Sequence, residues 1–179
     1  TILVNLLRGA GLDGLAPMRD RARIRRPILA LRRHETRDLC RAVGWSAVED
    51  PTNQDRRFVR NRIRHELLPL VADIAARDPV PVLVRQADLL GADAALLDDL
   101  AARVDPTDAK ALAAAPEVLA RRAVRRWLRS SEGPEQHPPS SAEVERVLDV
   151  ACGRAVACEL SGGRRVRRGA GRLSITIQP

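Results

Sequence analysis

Four side chains that could handle anions recur along one stretch of this sequence: Arg57, Arg60, Asn61 and Arg64, at i, i+3, i+4 and i+7. In a helix that spacing turns three guanidinium groups and one amide to the same side of a rigid element. Guanidinium forks match the oxygens of phosphate and carboxylate groups. The competing expectation is a set of surface ion pairs with Glu49, Asp50 or Asp55, which would neutralise the same arginines. A second basic group, Arg122, Arg125, Arg126 and Arg129, lines one side of EVLARRAVRRWLRS. There a solvated charged face weighs about as much as contact with RNA. Metal chemistry has little support. His34, His65 and His137 are scattered, and Cys40, Cys152 and Cys158 form no C-x2-C knuckle, so no metal ligand is assigned.

The elements that must position these groups are mostly helical. Ile2, Leu3, Leu6 and Leu7 predict a buried helix that stops at Gly9. The opening has no N-cap and reads as the continuation of something upstream. Ile24, Ile28 and Leu29 predict a short strand flanked by arginines, and HETRDLCRAVG a helix closed by Gly44. Residues 45–56 are a polar loop in which Asp50 and Asn53 supply turn chemistry through side-chain-to-backbone bonds. From Arg57 to about Ala76 the periodicity is helical, with Val59, Ile63, Leu67, Leu70 and Ile74 on one face and Pro69 kinking or ending its first half. The two prolines of ARDPVP mark a boundary between residues 1–78 and 79–179. Beyond it lie a leucine-rich helix over 80–104, an alanine helix around Lys110, a helix opened by Pro116, a flexible loop at SSEGPEQHPPSS, a capped helix AEVERVLDVACG, and two or three closing antiparallel strands.

Composition narrows the partner. A net charge of +8 on 179 residues points to a polyanion, nucleic acid ahead of acidic membrane. No stretch approaches the roughly 20 apolar residues that span a bilayer, and no secretion signal opens the chain, so a soluble, cytoplasmic protein is expected. Only Trp45, Phe58 and Trp127 are aromatic, too few for an autonomous module that stacks bases on rings.

Several segments together resemble the tRNA(Ile)-lysidine synthetase family, in order and with similar spacing. The run NLLRGAGLDGLAPM from Asn5 to Met18 is similar to the family's LLRG-G-GL-GL-GM; RRPILALRRHE from Arg25 to Glu35 is similar to its RPLL-R-E. The most specific match is EDPTNQDRRFVRNRIR, Glu49 to Arg64, against ED-N-R-RNRIR, and ACELSGGRRVRRGAGRLSI resembles the closing strands.

The resemblance implies a mainly α chain with a small C-terminal antiparallel β element, whose N-terminal part is the end of an α/β adenine-nucleotide hydrolase-like, Rossmann-type domain. Residues 1–78 would be the C-terminal part of the ATP-binding catalytic domain, and 79–179 the helical tRNA-binding domain with terminal strands. It implies a ligase that adenylates the wobble cytidine of a CAU-anticodon tRNA(Ile) with ATP, beside magnesium, before free L-lysine displaces AMP. Whether the chain forms a homodimer stays open.

Carried residue by residue, the resemblance makes Arg60, Asn61 and Arg64 catalytic. It sets Arg8, Gly9 and Gly11 beside the nucleotide cleft, where helix termination is the stronger reading of the glycines. Arg26 becomes a cleft wall. Arg26 and Arg57, with Arg122, Arg125, Arg126 and Arg129 of the second basic face, are the candidate RNA contacts. The family's S-G-G-x-D-S loop does not occur. Ser161-Gly162-Gly163 is followed by Arg164 and Arg165 instead of aspartate and serine, so the pyrophosphate loop is expected to be missing and the chain inactive by itself. The alternatives are a non-enzymatic basic helical module for RNA or DNA and a purely structural helical domain.

Overall fold

The computed structural model describes residues 1–16, 25–131 and 138–177. The chain divides into two compact units, Thr1–Ala94 and Ala95–Pro179. It is mainly helical, with one small antiparallel sheet at its C-terminal end.

In the first unit α1 (Ile2–Leu7) ends where Gly9 takes φ +72° and the Ala10 N–H returns to the Asn5 carbonyl at 3.0 Å. Glycine adopts this left-handed geometry without a Cβ clash, so it stops the helix cleanly. The helix forms as expected but is not buried: Leu6 and Leu7 are 54% and 64% exposed. A four-residue turn, α2 (Leu12–Leu15), follows, and Asn5 Nδ2 donates to the Gly14 carbonyl at 2.6 Å to hold it against α1.

The expected strand is a turn in its described part, since Leu29 N–H bonds the Arg26 carbonyl at 3.1 Å and Leu31 N–H the Ile28 carbonyl at 3.1 Å. Pro27 pre-sets a turn and supplies no ladder donor, which overrides the β-branched residues beside it. Ile24 lies outside the described residues.

Helix α3 (Arg33–Ala42) starts with the Arg32 N–H on the Glu35 carboxylate, and Gly44 at φ +74° closes its end. After a 3-10 turn at Pro51–Gln54 comes α4 (Val59–Arg62), then a π turn over Ile63–Leu67 and α5 (Leu68–Ala75). Pro69 is the physical reason for the widening: it has no N–H for the carbonyl four residues back, and its ring crowds that carbonyl. The helix passes through the proline instead of breaking. Of its expected apolar face Ile63 is buried, at 7% exposure, whereas Ile74 is 76% exposed. Ala76 at φ +50° ends α5, and Asp78 accepts from Val80 N–H at 2.9 Å to open α6 (Val80–Ala101).

The second unit holds the main core. Helices α7 (Ala109–Ala114), α8 (Glu117–Ser130) and α9 (Ser141–Ala151) pack with β1 (Ala157–Leu160), β2 (Arg164–Gly169) and β3 (Arg172–Ile177) around Leu112, Val124, Leu128, Val144, Val147 and Val166. The strands run antiparallel in the order β1-β2-β3, with Val166 opposite Cys158 and Ile175. Ala170 and Gly171, at φ +48° and +78°, make the tight turn between β2 and β3. Positive φ at both central residues gives the turn the twist of its strands. Among the charged residues of α9 only Glu143 is buried, and it forms a capping box with Ser140. Residues 132–137 of the loop SSEGPEQHPPSS, His137 among them, lie outside the described residues.

Candidate functional site

Short side chains shape the loop ahead of α4. Asp50 accepts from the N–H and hydroxyl of Thr52, each at 2.8 Å, and these bonds hold its carboxyl below the ordinary value. Asn53 takes part through its backbone instead of its amide: its N–H reaches the Asp50 carbonyl at 3.0 Å, and its own carbonyl faces His65 Nε2 at 3.3 Å. Against a carbonyl the imidazole nitrogen must donate, so His65 ties the loop to the π turn.

Two members of the arginine stripe leave it. Asn61 is buried, at 7% exposure, and its Nδ2 donates to the carbonyls of Thr52 at 2.7 Å and Asp55 at 2.9 Å. Arg57 precedes the first turn of α4 and clasps the Asp55 carboxylate through Nε and Nη2 at 2.9 and 2.7 Å. Arg60 and Arg64 remain. Arg60 is exposed, and Arg64 is half-buried on a cavity of about 210 Å³ that it lines with Arg33, Arg37, Asn53, Gln54 and His65.

Most other arginines of α3 and of residues 55–67 have acidic partners. Arg37 pairs with Glu49, Arg41 with Asp38 at 2.8 Å, Arg56 with Glu66 at 2.8 Å, and Arg62 with Glu66 at 3.2 Å. No carboxylate pairs with Arg33, Arg60 or Arg64 among the described residues. Burial, and then the charges of Arg33 and Arg60, push the pKa of Arg64 down. Burial, and then the charges of Arg60 and Arg64, likewise lower the α-amino group of Thr1. Arg33, Arg37, Gln54 and His65 were not singled out in the sequence. The usable signal was the i, i+4 pair Arg33 and Arg37 on α3.

The other candidates are spread out. Arg8 is exposed at the C-cap of α1, Gly9 terminates that helix, and Gly11 sits at φ −73° with open space where a Cβ would be. Arg26 is half-buried and gives its carbonyl to the turn at Leu29. On α8, Arg122 is ion-paired to Asp98, Arg126 is exposed with Nη2 3.5 Å from the Ala101 carbonyl, and Arg129 is exposed. Arg125 is half-buried, and its Nε is buried without an acceptor.

Two arginines of β2 are structural. Arg164, 2% exposed, donates from Nη1 to the Leu128 carbonyl at 3.3 Å, and Arg168 donates to the Ala151 carbonyl at 2.9 Å. They cap the C-terminal ends of α8 and α9, where the helix dipole favours cations. Ser161-Gly162-Gly163 is structural too: the Ser161 N–H donates to Glu143 at 2.8 Å, and both glycines have positive φ.

Comparison with known proteins adds the lineage. Residues 1–71 match the PP-loop domain model, and residues 108–174 match the TilS substrate binding domain model. The PP-loop match at the N-terminal end, in a mainly helical chain that closes on a small antiparallel sheet, fits an adenine-nucleotide hydrolase-like fold. Relatives include the tRNA(Ile)-lysidine synthase of Mycobacterium leprae, 39% identical over 136 residues, with 72% of this chain and 42% of that protein covered. That of Nocardia farcinica is 40% identical over 139 residues, covering 73% and 44%. That of Synechocystis sp. is 32% identical over 190 residues, covering 93% and 57%. The chain is thus similar to tRNA(Ile)-lysidine synthases over most of its own length, with the PP-loop and TilS substrate binding models matched in order. It spans less than half the length of the actinobacterial relatives it matches.

These matches correct one expectation. The chain carries a PP-loop domain match over residues 1–71, so the domain is present and not missing. The expectation rested on a single S-G-G-x-D-S string, whereas the domain match extends through the glycine run and the RNRIR helix.

Proposed function

We propose that this chain serves the ATP-dependent conversion of the wobble cytidine of CAU-anticodon tRNA(Ile) to lysidine. In this reading ATP adenylates the C2 carbonyl with release of pyrophosphate, and the ε-amine of free L-lysine then displaces AMP. Residues 1–78 act in nucleotide chemistry and 79–179 in holding the tRNA. The observation that carries the reading is the uncompensated positive charge of Arg33, Arg60 and Arg64 in the unit with the PP-loop match. Charge develops on the α-phosphate and pyrophosphate during adenylation, and fixed guanidiniums aimed there lower its energy.

The roles divide by geometry. Arg60 and Arg64 face the anion, and Asn61 acts through the loop it holds. Arg8, Gly9 and Gly11 border the nucleotide, and Arg26 and Arg57 meet RNA backbone. In the second unit Arg125, Arg126 and Arg129 offer guanidiniums to RNA, whereas Arg122 does so only by releasing Asp98. The arginine-lined cavity suits the phosphates of ATP. Among the described residues no three His, Cys, Asp or Glu side chains are grouped so as to hold a magnesium ion. No described helix is long and apolar enough to cross a membrane.

The sequence holds no S-G-G-x-D-S string, and we propose that residues 1–179 form no lysidine unaided. The test joins this chain to the portion of the Mycobacterium leprae relative that it does not span, and assays lysidine on a tRNA(Ile) transcript. Formation that needs ATP and lysine supports the reading. A folded chimera that binds the transcript without modifying it favours a non-enzymatic RNA-binding module.

A further inference from the structure

Residues 63–68 present two kinds of side chain to two different places. Ile63 and Leu68 line an apolar cavity of about 330 Å³ together with Leu3 and Leu83. Arg64 and His65 line the arginine-rich cavity with Arg33 and Asn53. Ile63 and Leu68 are five residues apart, which in an α-helix would turn them about 140° away from each other. Here the Leu68 N–H bonds the Ile63 carbonyl, five residues back instead of four, and the wider turn brings the two onto one face. In a regular helix Leu68 would instead follow Arg64 by four residues and share its face. The same extra residue accounts for the exposure of Leu70 and Ile74, which continue the face of Ile63 only if every turn is α.

We propose that Pro69 is a positioning residue for Arg64: by holding the turn over Ile63–Leu67 open, it keeps Arg64 off the apolar face and aims it into the arginine-lined cavity. Pro69 is exposed and lines neither cavity, so it acts through the backbone. Having no N–H, it deprives the His65 carbonyl, four residues back, of its usual donor, and its ring crowds that carbonyl. Opening the turn relieves the crowding and rotates all that precedes it against all that follows. The inference rests on the reading of the arginine-lined cavity as the seat of nucleotide phosphates, and adds what directs the guanidinium there.

The experiment uses the whole chain as native protein, as Pro69→Ala, as Pro69→Ala combined with deletion of Leu67, and as the control Pro116→Ala at the start of α8. Pro69→Ala restores the missing N–H, so the turn should close to α. Nuclear magnetic resonance cross-peaks between the methyl groups of Ile63 and Leu68 should then disappear, and contacts between Leu68 and the Arg64 side chain should replace them. Deleting Leu67 makes Leu68 the fourth residue after Ile63 and should bring the methyl contacts back. ATP binding, measured by calorimetry, should weaken by about tenfold in Pro69→Ala, as for one lost charge-assisted bond, and return to within about twofold of native in the deletion variant. Pro116→Ala should match the native chain. A proline that only stabilised the helix would not be replaceable by shortening the turn. Retained contacts between Ile63 and Leu68 in Pro69→Ala, native ATP binding once they are lost, or a deletion variant that regains the contacts without the binding overturns the proposal. Failure of the native chain to bind ATP counts against the nucleotide reading of the cavity alone, since the exchange of contacts still decides whether Pro69 directs Arg64.

Discussion

Asn61 donates its side-chain amide to the carbonyl of Thr52 at 2.7 Å, from the helix turn that also carries Arg60. A second bond to Asp55 at 2.9 Å uses the other amide hydrogen, so one buried group holds both ends of the 52–55 loop. The arrangement separates two kinds of residue in the RNRIR run. Asn61 builds the wall, and the arginines supply the charge.

Asn61→Ala removes the amide donor from the Thr52 and Asp55 carbonyls and leaves each with one backbone N–H, that of Asp55 at 3.2 Å and that of Phe58 at 3.3 Å. The expected loss is about 1–3 kcal/mol of stability, read from urea unfolding. Hydrogen exchange should speed up over residues 50–56 in particular. Unchanged protection in that loop would show that its conformation does not rest on Asn61.

Gly14 and Gly11 make opposite demands. A Cβ on Gly14 would lie 2.4 Å from the Ala10 Cβ, whereas one on Gly11 meets nothing within 4 Å. Gly14→Ala should destabilise the protein by about 1–3 kcal/mol, the usual range for overpacking, and Ala10→Gly in the same chain should relieve it. Gly11→Ala should leave the melting temperature unchanged. If it nevertheless weakens ATP or tRNA binding, the open space at Gly11 is where a ligand approaches.

Helix periodicity and caps were legible in the sequence because they are local. Gly9 and Gly44 stop helices where their positions suggested, and Ser140 with Glu143 opens α9. The closing strands also follow from alternation and glycine turns. What misled were contacts set by tertiary structure. Pro27 turned an apolar run into a turn, and Asn61 rotated out of its stripe to meet a loop that spacing alone cannot place. The cavity joins α3 to residues sixteen or more positions further on, a pairing that helical spacing along either segment cannot reveal. Nothing local in the sequence shows that two helix ends point at Arg164 and Arg168 of β2.

Glu143 gives the fold a measurable acid sensitivity. Burial pushes its carboxyl up, but the N–H groups of Ser161 and Ser140 and the Ser140 hydroxyl outweigh that and bring its pKa down from 4.5 to about 2. A carboxylate whose folded pKa is depressed stabilises fully above its unfolded value, and the contribution fades as pH falls toward the folded one. Stability should therefore drop between about pH 4.5 and about pH 2. Glu143→Gln should cost about 1–3 kcal/mol at pH 7 and flatten that part of the profile, in chemical unfolding followed from pH 7 to pH 2. A variant as acid-sensitive as the native chain would place the titration elsewhere.

The basic face of α8 separates into a paired and a free part. Arg122 is 13% exposed at its side chain and bound to Asp98, whereas Arg129 is exposed. An exposed guanidinium that meets phosphate releases about one counterion, and one already held by a carboxylate must first break that pair. Arg129→Ala should weaken tRNA binding and lower the slope of log affinity against log salt by about one, with stability within about 0.5 kcal/mol of native. Arg122→Ala should do the reverse, removing the pair with Asp98 and lowering the melting temperature while the slope stays the same. Parallel salt titrations and thermal melts of the two variants check the division. A slope change at Arg122 larger than at Arg129 would mean that Asp98 gives up its partner when RNA arrives.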